Sequence, residues 1–209
     1  MSTKITKRRT QERTEQTRTK LLDAAVHLFS EQGFEGISIR DLEKAASVQR
    51  GLLAYHFEDK ETLWKAAADR TFGLMSDEVD ARVDILRDLS EQERIAAMIR
   101  FYVRFSARHP ELSRLLSQEG RQDSWRIQYL VEHHVSRITA ALEKPVRAAL
   151  NLNREEFTHW FYMLVGAAST IFSHSPECQI LFGVDSRQEK IVSAHADMLV
   201  TMLMEPFSK

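Results

Sequence analysis

Residues 38–57, SIRDLEKAASVQRGLLAYHF, decide the fold. Ser38 has the side chain of a helix N-cap, and Asp41 stands three residues on, completing a capping-box-like pair. The run from Arg40 to Ala46 makes about two helical turns. Ile39, Leu42 and Ala46 are expected on one side of it. Ser47-Val48 breaks the run. A second helix is predicted from Gln49 to Phe57, with Leu53 and Phe57 inward and Gln49, Arg50, Leu52 and His56 on the other face. Two short helices joined by a tight turn form a helix-turn-helix, a motif that sets its second helix in the DNA major groove.

Working outward, the chain before this stretch should hold one helix from about Gln16 to Gln32. Its stripe is Leu21, Ala25, Leu28 and Phe29, widened by Leu22 and Val26. Gly33 is its left-handed C-cap, and Phe34 folds back on the three-helix core. Residues 1–14 are polar and charged with no apolar period. They read either as an unstructured tail or as an arm that orders when Lys7, Arg8, Arg9 and Arg13 meet phosphates. After the motif, Asp59 caps a fourth helix that carries Leu63, Ala66, Ala67 and Phe72 to the middle 70s.

Leu21-Leu22-Asp23-Ala24-Ala25, Phe29, Gly33-Phe34, Ser38-Ile39-Arg40-Asp41-Leu42, Ala45, Val48, Gly51, Tyr55-His56-Phe57 and Lys60-Glu61-Thr62-Leu63 together resemble the N-terminal domain of the TetR family of repressors. The resemblance covers roughly residues 15–65; beyond that it is architectural. It implies that Arg40, Arg50 and Leu52 touch bases and that Tyr55, His56 and Lys60 meet phosphates. Arg suits the G O6/N7 edge, Leu52 a thymine methyl, and Gln49 an adenine. Standing alone, Arg40 and Arg50 would read as solvated surface charges. The sequence departs from the family pattern where Tyr is common at Ala54, Thr at Leu52, Gly at Ser47 and Ser at Gln49.

The 209 residues contain only 7 Gly and 4 Pro and no alternating strand-like runs, which favours an all-α protein. About nine helices are expected, in an N-terminal helix-turn-helix domain over residues 1–62 and a larger C-terminal helical domain over residues 63–209. Charge is unevenly spread. Residues 1–20 hold seven Lys/Arg against two Glu, a net of +5, leaving −6 for the rest of a chain that totals −1. A basic end on an acidic body points to an anionic partner. The lone Cys178 has no intrachain disulfide partner, no apolar run approaches a membrane span, and the polar N-terminus lacks a signal peptide's apolar core. A cytoplasmic protein, with no membrane partner, is expected.

The C-terminal part reads as long amphipathic helices. Ser90 to Glu93 is a capping box. His109-Pro110 ends that helix and begins a short one that Gly120 stops. A helix over about Ser124 to Leu150 is expected, kinked before Pro145. Asn153 caps the next. Residues 173–185 read as a loop from their Ser, Pro, Gly and Asp, and a last helix runs from about Ser186 or Arg187 to Met204. Aromatic side chains are dense here, and at helical spacing most such residues are core. The family resemblance adds an effector cavity, which Tyr102, Trp125, Tyr129, His133 and Trp160 could line. It also implies homodimerisation through the helices near 154–173 and 187–204, whose faces include the small residues Gly166, Ala167 and Ala168.

His133-His134 are adjacent, so they do not share a helix face, and no partner has metal-ligand spacing; no metal and no cofactor are expected. Neither a nucleophilic triad nor a phosphate loop nor a carboxylate pair is visible, so an enzyme is not expected. The reading is a regulator, a repressor by resemblance, released from palindromic double-stranded DNA by a small-molecule effector. Its rival is a helical ligand carrier or protein-interaction scaffold that has lost sequence-specific DNA binding.

Overall fold

The computed structural model describes residues 2–82 and 86–204, with side chains from residue 11 onward. Every regular element among them is helical. They divide into two compact units, Met1–Gly73 and Leu74–Lys209.

The first unit holds α1 (Ser2–Gln32), α2 (Ile39–Ala45), α3 (Leu52–Phe57) and the start of α4 (Lys60–Asp80). The division falls inside α4, later than the expected boundary after residue 62, because Leu63, Trp64, Ala67, Ala68 and Phe72 in its first turns are buried. α1 begins at Ser2, where a tail or arm was expected. Its first turns lack Gly and Pro and are rich in Lys, Arg, Glu and Gln, which lose little rotamer freedom in a helix. Gly33 ends α1 with φ 73°, its N–H donating to the Phe29 carbonyl at 3.1 Å. The Phe34 ring lies 5.8 Å from that of Phe29.

Ser38 caps α2 as the sequence predicts. The Asp41 N–H donates to Ser38 Oγ at 3.2 Å, while the Ser38 N–H and hydroxyl donate to Asp41 Oδ2 at 2.9 and 2.6 Å. These bonds hold the Asp41 carboxyl below its ordinary range. The inward set differs by one residue from expectation. Ile39 is exposed, and Ile37 is buried in its place along with Leu42 and Ala46. With Ser38 as cap, Ile37 and Leu42 stand at the two positions of a hydrophobic staple, and Ile39 opens the helix on its outer side.

The second unit contains the end of α4, α5 (Glu91–Arg108), α6 (Pro110–Glu119), α7 (Trp125–Leu130), α8 (Ser136–Leu150), α9 (Arg154–Ser173), α10 (Ser175–Phe182) and α11 (Glu189–Met204). Capping boxes at Ser90/Glu93 and Asn153/Glu156 open α5 and α9, and Pro110 starts α6. α5 packs against α8, α9 and α11. The core between them includes Ile99, Val103, Val146, Phe157, Trp160, Phe172 and Leu199. Burying a large apolar side chain of this kind contributes about 1.5–3 kcal/mol. Trp160 also donates Nε1–H to the Leu203 carbonyl at 3.0 Å, joining α9 to α11.

Two expectations fail here. The segment read as a loop contains α10; Pro176 sits in its first turn and Gly183 closes it in the left-handed region, φ 65°. The single helix expected from Ser124 to Leu150 is divided by a π turn at Val131–Val135 between α7 and α8, and Pro145 lies within α8.

Polar bonds fasten the elements. Glu119 and Arg126 are both buried, Arg126 Nε donating to Glu119 Oε2 at 2.7 Å across the turn from α6 to α7. Arg108 grips Glu78 with both terminal nitrogens, at 2.9 and 2.8 Å. That pair of charge-assisted bonds holds the Glu78 carboxyl below its ordinary range.

Three measurements test these attachments. Ser38→Ala should lower unfolding stability by about 1 kcal/mol in urea titrations. Arg126→Met strands a buried carboxylate and should cost about 3–5 kcal/mol, most of it recovered when Glu119→Leu is added. A carboxyl whose folded pKa is depressed adds stability above its unfolded pKa and loses it as pH falls through the folded value. Glu78→Gln should therefore lower stability near neutral pH, with the deficit closing on acidification below the ordinary carboxylate range.

Candidate nucleic-acid interface

The motif is held by a turn with two residues in the left-handed region, Ser47 at φ 53° and Gly51 at φ 88°. The second needs glycine most, because Gly51 is the N-cap of α3. That geometry moves the helix start to Leu52, so Gln49 and Arg50, expected on the helix, lie in the turn before it. The Leu52 N–H donates to the Gln49 carbonyl at 3.3 Å, and the Val48 N–H donates to the Glu43 carbonyl at 3.0 Å.

Leu53 and Phe57 are buried as predicted. The Arg18 guanidinium of α1 stands 4.9 Å from the Phe57 ring centroid. The opposite side carries the expected outward groups. Gln49, Arg50 and Tyr55 are exposed; Leu52 and His56 are half-buried. Tyr55 is 74% exposed, with its ring edge-on to His56 at 5.0 Å. Arg40 is exposed in the first turn of α2. Lys60 opens α4 beside Asp59, whose Oδ1 accepts the Thr62 N–H at 2.7 Å, and its ammonium lies 4.1 Å over the Phe34 ring. The Lys60 stem is thus packed on the unit's own core.

This surface offers fork-shaped guanidinium donors at Arg40 and Arg50, an amide at Gln49 and a phenol at Tyr55. Those are the groups that read base edges and bind phosphate oxygens. One residue went unnoticed in the sequence. Glu43 is buried on α2, and its Oε1 accepts from the Gly51 N–H at 2.7 Å and the Leu53 N–H at 3.1 Å. Its signal was a carboxylate three residues from inward Ala46, where an unpaired charge is costly.

The five residues expected around an effector fall into two groups. Tyr102 and Trp160 belong to the core of the second unit, with Trp160 fully buried. Burial pushes the Tyr102 hydroxyl up to about 12. Trp125, Tyr129 and His133 follow one another at helical spacing; the rings of Tyr129 and exposed His133 are 4.3 Å apart. A surface cleft of about 400 Å³ is lined by Ala140, Glu143, Lys144, Arg147, Ala148 and Leu152, none of them in the expected set.

Residues 21–67 match the family model of bacterial regulatory proteins, tetR family. A probable HTH-type transcriptional regulator YttP of Bacillus subtilis (strain 168) is 24% identical over 119 residues, 57% of this chain and 58% of that protein. The HTH-type transcriptional repressor AcnR of Corynebacterium diphtheriae is 35% identical over 74 residues, 34% of this chain and 39% of that protein. The chain thus spans less than two thirds of either relative. The fold is shared with the fatty acid degradation regulator FadR from Bacillus halodurans, at a TM-score of 0.64 and 16% identity over 88% of this chain and 94% of that one. Residues 21–67, which include the helix-turn-helix, thus match the tetR family of bacterial regulatory proteins, and the helical fold of the chain is shared with a solved regulator structure.

Proposed function

We propose that the chain is a homodimeric transcriptional regulator that represses from a palindromic operator and is released by a small-molecule effector. It acts in the cytoplasm and is not an enzyme. The observation that carries the DNA-binding part is the division of the motif: Leu53 and Phe57 inward, Arg40, Gln49, Arg50 and Tyr55 outward. Arg40, Gln49, Arg50 and Leu52 read bases, and Tyr55, His56 and Lys60 position the backbone. Relatives named as repressors support the sign of regulation.

One helix-turn-helix reads few base pairs, so a dimer is needed for a useful site. Its support lies in the exposed apolar faces of the second unit. Tyr162 and Met163 on α9 and Met198 and Met202 on α11 are all exposed, beside exposed Gly166 and Ala167. Small residues allow close helix approach, and a second copy removes this apolar area from water. No helix among the described residues is long and apolar enough to cross a membrane.

The effector binds the second unit among the aromatic residues there, with Tyr102, Trp125 and Tyr129 the lining this reading favours, Trp160 the wall behind them and exposed His133 at the rim. To act, it must bind one dimer conformation better than the other. α4 begins in the first unit and ends in the second, and a shift of this helix changes the distance between the two recognition helices.

Arg50→Ala should weaken binding to the preferred duplex by about 1–3 kcal/mol and relax selectivity at one position, without changing the dimer. Binding titrations at matched salt against preferred and scrambled duplexes decide it. Equal affinity for both by the unaltered chain favours a carrier or scaffold. Ala167→Glu should place a charge in the α9 face and yield monomers in sedimentation, with loss of the preferred duplex.

A further inference from the structure

We infer that Glu43 is a positioning residue for base readout, acting through the reach of its side chain rather than through its charge. The inference rests on the DNA-binding reading above. Glu43 is 4% exposed, and a single oxygen, Oε1, accepts from both Gly51 and Leu53, at 2.7 and 3.1 Å. Its carbonyl takes the Val48 N–H at 3.0 Å. One residue of α2 therefore fixes the turn at its entry and the recognition helix at its start.

The positions of these bonds matter. Gly51 and Leu53 alternate with Arg50 and Leu52, two of the four residues placed against bases. Holding the amides at 51 and 53 sets the backbone that aims the side chains at 50 and 52. α3 cannot do this for itself. It is six residues long and its N-cap, Gly51, has no side chain with which to satisfy the free N–H groups of a first turn. Glycine at that position is also the residue most free to rotate when nothing holds it. Glu43 supplies from a neighbouring helix the acceptor that a Ser or Asp cap would supply locally.

Charge does not explain the residue. A carboxylate beneath a surface that meets phosphates opposes binding. The acceptor atom and its distance from the α2 backbone are what the geometry uses. Gln has the same length and keeps an acceptor oxygen; Asp keeps the charge but is one methylene short.

The test uses the full chain and a pool of DNA duplexes with randomised centres, from which the wild-type protein selects its preferred sequence. The preferred duplex and the unselected pool are then titrated at matched salt. Glu43→Asp should reduce discrimination between them about tenfold or more while retaining binding to the pool, dimerisation and thermal stability near wild type. Glu43→Gln should restore wild-type discrimination. Asp discriminating like wild type, or folded Gln failing as Asp does, overturns the inference. If Glu43→Asp does not fold, amide exchange in the wild type decides. Protected Gly51 and Leu53 amides support the anchoring, and exchange at the rate of an unstructured chain overturns it. A wild-type protein that selects no sequence at all refutes the DNA-binding reading itself, an outcome distinct from any of these.

Discussion

A helix of six residues is unstable in water by itself, because nucleation costs more than so few hydrogen bonds return. α3 is such a helix, and the first unit is arranged to compensate. Leu53 and Phe57 fasten it by apolar burial, and the Glu43 carboxylate fastens its start. The other devices of the unit serve those anchors. Ser38 and Asp41 fix where α2 begins, so that Leu42 and Glu43 face inward. Gly33 turns the chain back after α1, and Phe34 then carries the Lys60 ammonium at the start of α4. Because the inner face of α3 is committed to packing, its outer face is left to Leu52, Tyr55 and His56.

The legible parts of the fold were those with a local chemical cause. Ser90, Pro110, Asn153 and Gly33 each act on the backbone within one turn, and each punctuates the chain where expected. The errors share a different origin. Hydrophobic periodicity reveals a helix only where one of its faces is buried. The early part of α1 is polar and charged with no apolar period, so it read as a tail or an arm. α10 has Pro at its start and Gly at its end, which serve equally as loop residues and as helix punctuation. Its apolar residues Ile180, Leu181 and Phe182 are all exposed, so no inward stripe marked it as a helix.

The candidate site was readable to the extent that its residues are outward ones on a patterned motif. Gln49 and Arg50 are exposed as expected and Leu52 and His56 half-buried, because Leu53 and Phe57 took the inward places. The precise start of α3 was not readable, since it depends on a left-handed Gly51 held by a side chain eight residues earlier. Pairings across a turn leave no period in the sequence. The residues expected around an effector show a second limit. Composition marks aromatic side chains as large and apolar but does not separate core from lining. Trp160 is such a case: its ring is buried and its N–H donates to the Leu203 carbonyl, which suits a core residue and a pocket wall alike.

The two units distribute exposed surface in opposite ways. In the first, the outward groups of the motif are chiefly hydrogen-bonding ones, Arg40, Gln49, Arg50 and Tyr55, suited to a hydrated and anionic partner. In the second, exposed Tyr162, Met163, Met198 and Met202 share two helices whose other faces form the core. Such a face gains nothing from an anion and loses by contact with water. Three further apolar side chains stand out at the end of α10, where only Ser175 is buried. That helix contributes almost nothing to the core of its own chain. Its apolar surface has the same chemistry as the faces of α9 and α11 and calls for the same kind of cover, another apolar surface of matching shape. In the proposed dimer a second copy supplies that surface, and a two-fold arrangement lets each copy cover the other with the same residues.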